Sequence, residues 1–282
     1  MNLKNKNAEI YVPDGVSVEE SFKRTTHLAI SAHQDDIELM AYDGILKCFA
    51  KTDKWFSAIV TTNGAGSPRS GLYADYSDDD MQKVRKLEQK KAAFVGEYSM
   101  VALLDYTSSA VKDGQNKDVV EEYKALFKAM KPEVIYTHNL ADKHDTHIGV
   151  VTKVIKAIRE LDKADRPKNF YGCEVWRNLD WVNDEEKVVF DVTDHPNMAM
   201  SLVSLFDSQI AGGKRYDLAT EGRRIANATY YASHGTDTAE SLIFAIDLTP
   251  LIEDDSLNVI DFINKYITSF KTDVNARIKK VL

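Results

Sequence analysis

The stretch HLAISAHQDDIEL, residues 27–39, decides how this chain is read. Its first six residues form an apolar run of strand length that stops at His33, and two adjacent aspartates, Asp35 and Asp36, follow within three positions. Imidazole and carboxylate groups are costly to bury unpaired, so a strand that delivers three of them to one turn calls for a chemical reason. Working outward, WFSAIVTT (55–62), MVALLD (100–105) and EVIYTH (133–138) repeat the format of a short apolar or β-branched run closed by a polar turn. Between these runs, helix-length segments fall at about 38–50, 80–96, 118–130 and 145–161. In the last of them Ile148, Val151, Val154, Ile155 and Ile158 share one face, an ordinary core stripe. Alternation of this kind predicts an α/β fold with parallel strands and crossover helices. Beyond residue 165, FYGCEVW (170–176) and KVVFDVT (187–193) read as further strands and candidates for antiparallel additions. Helices near 196–211 and 214–230, a strand at 241–248 and a terminal helix from about 256 complete the pass.

With 282 residues, 44% of them apolar, the chain can bury a large core, and disorder is not expected. We expect an N-terminal extension over 1–25 and one domain over 26–282, with its core signatures at 26–160 and a less defined part at 165–282. Acidic residues outnumber basic ones 44 to 36, giving a formal charge of −8, which argues against a broad nucleic-acid footprint and for a small or neutral ligand. The amino terminus has no signal-peptide core and no apolar run reaches the ~20 residues of a membrane span, so a soluble, cytoplasmic protein is expected. Cys48 and Cys173 read as reduced, buried thiols.

Ligands of open α/β sheets gather beyond the carboxyl ends of the strands, and two of those ends are rich in chemistry. After the first strand come His33, Asp35 and Asp36; after the fourth, THNLADKHDTHIGVV supplies His138, Asp142, His144, Asp145 and His147. Four of the seven histidines therefore fall at two turns, which face each other if the strands are neighbours. Mixed nitrogen and oxygen donors suit zinc, and three protein ligands with one open position make a catalytic site. His33 and Asp36, three apart, can fold onto one ion while Asp35 stays free as a general base beside the bound water. His144 and His147 sit three apart at a helix start, so one can bind the metal while the other meets an oxyanion. The zinc-protease spacing of histidines four apart around a glutamate is absent, which weakens a peptidase reading. The 18-residue loop NGAGSPRSGLYADYSDDD (63–80) is long enough to suggest service at a site.

Taken singly, each residue has a plainer reading. Asp145 is expected to cap the helix that carries Ile148, whereas Asp36 is not assigned a cap role. His27, His195 and His234 stand apart from the cluster and are read as packing or surface residues. The run Asp78, Asp79 and Asp80 is the acidic first turn of a helix. Neither NGAG nor IAGGK has the spacing of a phosphate loop, so no nucleotide cofactor is implied.

AISAHQDDIELMAYDGI resembles the first signature of the PIG-L or LmbE-like de-N-acetylases, and ADKHDTHIGVV resembles the second. TTNGAG and RKLEQKKAAFVGEY, with Arg85 and Glu88, are similar to two weaker intermediate signatures. The resemblance implies a Rossmann-like, mainly parallel sheet with helices on both faces, a zinc ion or another divalent metal, and hydrolysis of an N-acetyl group from an amino sugar or its conjugate. It places His33, Asp36 and His147 as metal ligands, Asp35 as general base and protonated His144 as the oxyanion-stabilising group. Arg85 by resemblance, and Asn63, Arg69 and Tyr73 by their place in the long loop with Tyr76, are expected to shape the substrate pocket. Gln34 stands where the family has proline, and Thr146 where it has an aspartate that helps orient the neighbouring histidine. Asp142 or Asp145 is the candidate replacement for that aspartate. SLFDSQI, with Ser208 and Gln209, is reminiscent of the family's distal part. The expected partner is a small N-acetylated sugar, and a homo-oligomer is compatible with the sequence. The competing expectations are a metal-stabilised glycan-binding protein without catalysis and a zinc hydrolase of a different amide.

Overall fold

The computed structural model describes residues 3–282. Its strands are β1 (Glu9–Tyr11), β2 (His27–Ser31), β3 (Phe56–Thr62), β4 (Met100–Tyr106), β5 (Val134–His138), β6 (Asn169–Cys173), β7 (Val188–Asp191) and β8 (Leu242–Asp247). The first helices are α1 (Val18–Lys23), α2 (Asp36–Met40), α3 (Tyr42–Cys48), α4 (Asp78–Val95), α5 (Ser108–Lys112), α6 (Asp118–Met130) and α7 (Asp145–Arg159). After them come α8 (Pro196–Ser204), α9 (Asp207–Ile210), α10 (Tyr216–Tyr230), α11 (Pro250–Glu253) and α12 (Val259–Val281). The strands form one sheet in the order β1-β4-β3-β2-β5-β6-β8-β7.

The five central strands, β4, β3, β2, β5 and β6, are mutually parallel. β2 lies between β3 and β5, with Leu28 opposite Ser57 on one side and Ile135 on the other. Sheets covered on both faces need strands that are apolar throughout, and every residue of β2, β3 and β4 is buried. Leu28 and Ile30 enter the core beneath α6 and α7, whereas Ala29 enters the opposite core with Ile37, Met40 and Ile45 of α2 and α3. The strand period of two thus feeds two cores from one run of sequence.

Several expectations shift. FYGCEVW continues parallel beside β5 because the α7 crossover returns the chain to the same end of the sheet; the antiparallel additions are β8 against β6 and β7 against β8. The helix expected over 38–50 breaks at Ala41 into α2 and α3. The break presses Gly44 against the sheet, where a Cβ would come within 2.7 Å of Tyr136 and 2.9 Å of Phe56. Residues 9–23, expected as part of an extension, supply α1 and the antiparallel edge strand β1. Cys48 and Cys173 are free and buried, and burial pushes the Cys48 thiol up to about 12. No helix among the described residues is long and apolar enough to cross a membrane.

Candidate metal centre and active site

Because β2 and β5 are neighbours, their two polar ends meet. Between β2 and α2 the backbone passes through Asp35 at φ 92°, a left-handed conformation rare for a residue with a side chain. The neighbours over-determine that turn: the Asp35 N–H donates to Gln89 Oε1 (3.3 Å), and Gln89 donates to Glu38 Oε1 (2.8 Å), which also accepts the Tyr98 hydroxyl (2.7 Å). The two aspartates consequently meet different partners. Asp36 Oδ2 accepts the His33 N–H at 2.8 Å and stands 3.4 Å from both His33 Nδ1 and His147 Nε2. Asp35 Oδ2 lies 3.3 Å from Arg85 Nη2.

His33 Nδ1 and His147 Nε2 are themselves 3.3 Å apart, so three donor atoms make a nearly equilateral triangle with Asp36 Oδ2. Ligands at about 2.0–2.1 Å around a tetrahedral ion lie about 3.3–3.4 Å from one another, which is the spacing found here. The donor set of two imidazoles and a carboxylate also suits zinc. Burial and then the neighbouring histidines lower the pKa of His144 and, more strongly, of His138; burial likewise lowers His33. Each of these shifts favours the neutral ring, which offers a lone pair. Burial pushes Asp36 upward, yet the imidazoles of His147, His138 and His33 carry it well below the usual carboxylate range. Asp35 goes the other way: burial raises it, against the opposing charge of Arg85.

Behind the triangle, Asp142 Oδ2 lies 3.5 Å from His147 Nδ1 and accepts the Trp176 N–H at 3.2 Å, while Oδ1 accepts the His144 N–H at 3.0 Å. Of the two carboxylates expected to orient a histidine, Asp142 is the one in place, and the ring it meets is His147. Asp145 is exposed at the first position of α7, and the cap expected of it is made by His144, whose Nδ1 accepts the Thr146 N–H at 3.3 Å. In a neutral His144 ring that bond puts the proton on Nε2. His138, in the cluster but without an assigned role, accepts the Ala32 N–H on Nε2 (2.9 Å). Its ring stacks on His147 with centroids 3.8 Å apart.

The triangle opens into a cavity of roughly 410 Å³ lined by His33, Asp35, Asp36, Arg85, His144 and Thr146. Gly64, Gly66, Ser67 and Pro68 of the long loop form one wall. The three other loop residues expected at the substrate hold the loop instead. Asn63 Oδ1 accepts the Ala65 N–H (3.2 Å), Arg69 donates to Ala65 O (2.8 Å) and pairs with Asp78, and the Tyr73 hydroxyl donates to Asp207 Oδ2 (2.6 Å). A loop of this length needs its polar groups to fix its own path. Arg85, in contrast, does reach the cavity and also donates to Gln34 O and Ser67 Oγ. Gln34 donates to Thr62 O at 3.1 Å and so ties the first turn to the end of β3. Glu88 accepts both the N–H and the hydroxyl of Ser208 (2.8 and 2.6 Å), which joins the intermediate signature to SLFDSQI, and Gln209 lines the cavity.

The sequence reading missed Ser108, Lys112, Trp176, Lys214 and Tyr216, which complete the lining. Ser108 and Trp176 lie two and three residues beyond β4 and β6, so the strand-end rule that found the histidines reaches them too. Lys214 and Tyr216 carry no such signal; the path into α10 alone brings them in, with Lys214 Nζ 5.1 Å from the Trp176 ring and Tyr216 edge-on to it at 6.1 Å.

No curated protein matches the chain in sequence. In fold it is similar to N,N'-diacetylchitobiose deacetylase from Pyrococcus horikoshii (TM-score 0.58, 13% identity, covering 78% of this chain and 83% of that one). It is equally similar to GalB, the 4-carboxy-2-hydroxymuconate hydratase from Pseudomonas putida (TM-score 0.58, 15% identity, 80% and 96% covered). A conserved protein of Thermus thermophilus gives a TM-score of 0.60 at 15% identity, with 82% and 98% covered. At these identities the likeness is one of fold, and a deacetylase and a hydratase share it. Residues 28–158, which carry both polar strand ends, match the family described as PIG-L: GlcNAc-PI de-N-acetylase.

Proposed function

We propose that the protein is a metal-dependent de-N-acetylase that hydrolyses the N-acetyl group of an amino sugar or sugar conjugate. The observation that carries this reading is the triangle of His33 Nδ1, Asp36 Oδ2 and His147 Nε2 with the unligated carboxylate of Asp35 beside it. His33, Asp36 and His147 would hold a zinc ion or a similar divalent metal. Such an ion lowers the pKa of bound water to about 7 and polarises a carbonyl oxygen.

The chain's own groups supply the proton traffic. Asp35, raised by burial toward the range in which a carboxylate is an effective base, accepts the proton of the attacking water. The C–O bond forms as the carbonyl π pair moves onto oxygen, where the Nε2–H of His144 meets the developing charge; loss of one such donor typically costs ~10² to 10³ in turnover. Collapse breaks the C–N bond, and Asp35 returns its proton to the departing amine, leaving acetate and the free amino sugar. Arg85 holds Asp35, with Nη2 3.3 Å from Oδ2. Trp176 and Tyr216 offer aromatic surface to a sugar ring, and a second chamber of roughly 270 Å³ that shares both residues has room for the remainder of a conjugate.

The test is a panel of N-acetylated sugars assayed for acetate release, with metal content measured on the same samples. Asp35→Asn should keep the metal and lower kcat by about 10² to 10⁴. Asp36→Asn should lose metal and activity together. An Asp35→Asn protein with wild-type turnover would remove the base from the mechanism. Metal retained without acetate release from any substrate would favour the binding protein over the enzyme.

A further inference from the structure

Helix α12 runs for 23 residues, and none of them is buried. Val259, Phe262, Ile263 and Tyr266 pack one flank of its first turns on the body, and Asn183 donates to Ser269 Oγ at 2.8 Å as the last polar tie. Beyond Phe270, whose ring meets Trp181 at 6.4 Å, the helix has no buried contact. Yet Ile260, Ile267, Val274, Ile278 and Val281 are exposed at 67%, 46%, 36%, 49% and 83%. At 100° per residue these five lie within an arc of about 60°, a single apolar row about 32 Å long. Water would not hold such a row without an occupant, and a helix end lacking tertiary support is marginal by itself.

Charge identifies the occupant. In a chain of formal charge −8, residues 264–282 carry Lys265, Lys271, Arg277, Lys279 and Lys280 against the single acidic side chain Asp273. Asp273 is already paired with Arg277 at 2.6 Å, and the four lysines form no ion pair with the described residues. We propose that α12 docks in the plane of an anionic phospholipid surface, with its isoleucine and valine row in the acyl boundary and its lysines among the head groups. An apolar row with a cationic polar face and low overall hydrophobicity is the pattern of helices that lie on membranes rather than cross them. A second copy of the chain would meet this face with the same cations, and like-charge repulsion opposes that pairing.

The experiment is co-sedimentation of the full chain with vesicles of phosphatidylcholine alone or with one-third phosphatidylserine, at about 0.1 M and 0.5 M salt. At the lower salt we expect at least tenfold stronger partition onto the phosphatidylserine vesicles, largely lost at the higher. I267S/I278S should abolish partition, and K271Q/K279Q/K280Q should erase the preference for phosphatidylserine, both with an unchanged circular dichroism spectrum and unchanged activity on a soluble substrate. Equal partition onto both vesicles, or none, overturns the proposal. So does a wild-type dimer in light scattering that I267S/I278S converts to monomer without any vesicle binding, which would assign the row to a second copy.

Discussion

Asp142→Asn is the sharpest perturbation of the site because it is isosteric and removes no metal ligand. The carboxylate receives the His144 N–H on Oδ1, and it faces both the Trp176 N–H and His147 Nδ1 with Oδ2. Every group around it is therefore a donor or a ring nitrogen that must donate when its other nitrogen binds metal. An asparagine presents one oxygen and one NH2, and in either flip the NH2 confronts at least one donor. With Nδ2 at the Oδ2 position, His147 loses the acceptor that raises its basicity and fixes its tautomer. Removal of such a partner typically costs 10–100-fold in metal affinity, equivalent to about 1.4–2.7 kcal/mol. Each buried donor left unpaired adds about 1–3 kcal/mol of destabilisation. We expect the zinc dissociation constant, measured by competition with a chromophoric chelator at pH 7.5, to rise 10–100-fold in Asp142→Asn while Asp145→Asn stays within about twofold of wild type. A folded Asp142→Asn protein that binds zinc as tightly as wild type would refute the reasoning, as would an equal loss in Asp145→Asn.

Two other perturbations test the frame around the site. Gly64 has φ 73°, and a Cβ there would come within 2.6 Å of Gln34 Oε1 and 2.8 Å of Arg85 Cδ. Gly64→Ala should lower stability by about 1–2 kcal/mol through the backbone alone. By moving Arg85 away from Asp35 it should also cut kcat/KM at least ~10-fold with metal content unchanged; an unaltered kcat/KM would mean that Arg85 does not need its position. His27, far from the metal triangle, has its pKa lowered to about 4 by burial and then by the charges of Lys47 and Lys54. Because the unfolded chain binds more protons between about pH 6.5 and 4, stability from His27 is complete above pH 6.5 and is lost as pH falls toward 4, by at most about 3 kcal/mol. Urea melts across that interval should show a shallower acid slope for His27→Gln than for wild type, and identical slopes would contradict the assignment.

The sequence alone determined the class of fold and the two turns that hold the chemistry. Hydrophobic period is a local property: the buried runs of β2 to β5 and the 3.6-residue stripe of α7 are written in their own residues, and so is the unusual density of His and Asp at two strand ends. Long-range geometry is not local. Whether those ends meet depended on β2 lying beside β5, and the parallel setting of β6 followed from the return path of α7. The choice between Asp142 and Asp145 turned on which carboxylate stands behind His147, a matter of the turn's three-dimensional path rather than of spacing. Asn63, Arg69 and Tyr73 looked like pocket residues by composition, but Asn63 and Arg69 satisfy the loop's own backbone at Ala65 and Tyr73 ties the loop to Asp207 of α9. Lys214 and Tyr216 reach the cavity only because α9 and α10 fold back across the strand ends, and no pattern in residues 210–216 encodes that contact. Tertiary packing decided it, since a side chain's neighbours are set by where the whole chain is driven to bury its apolar surface.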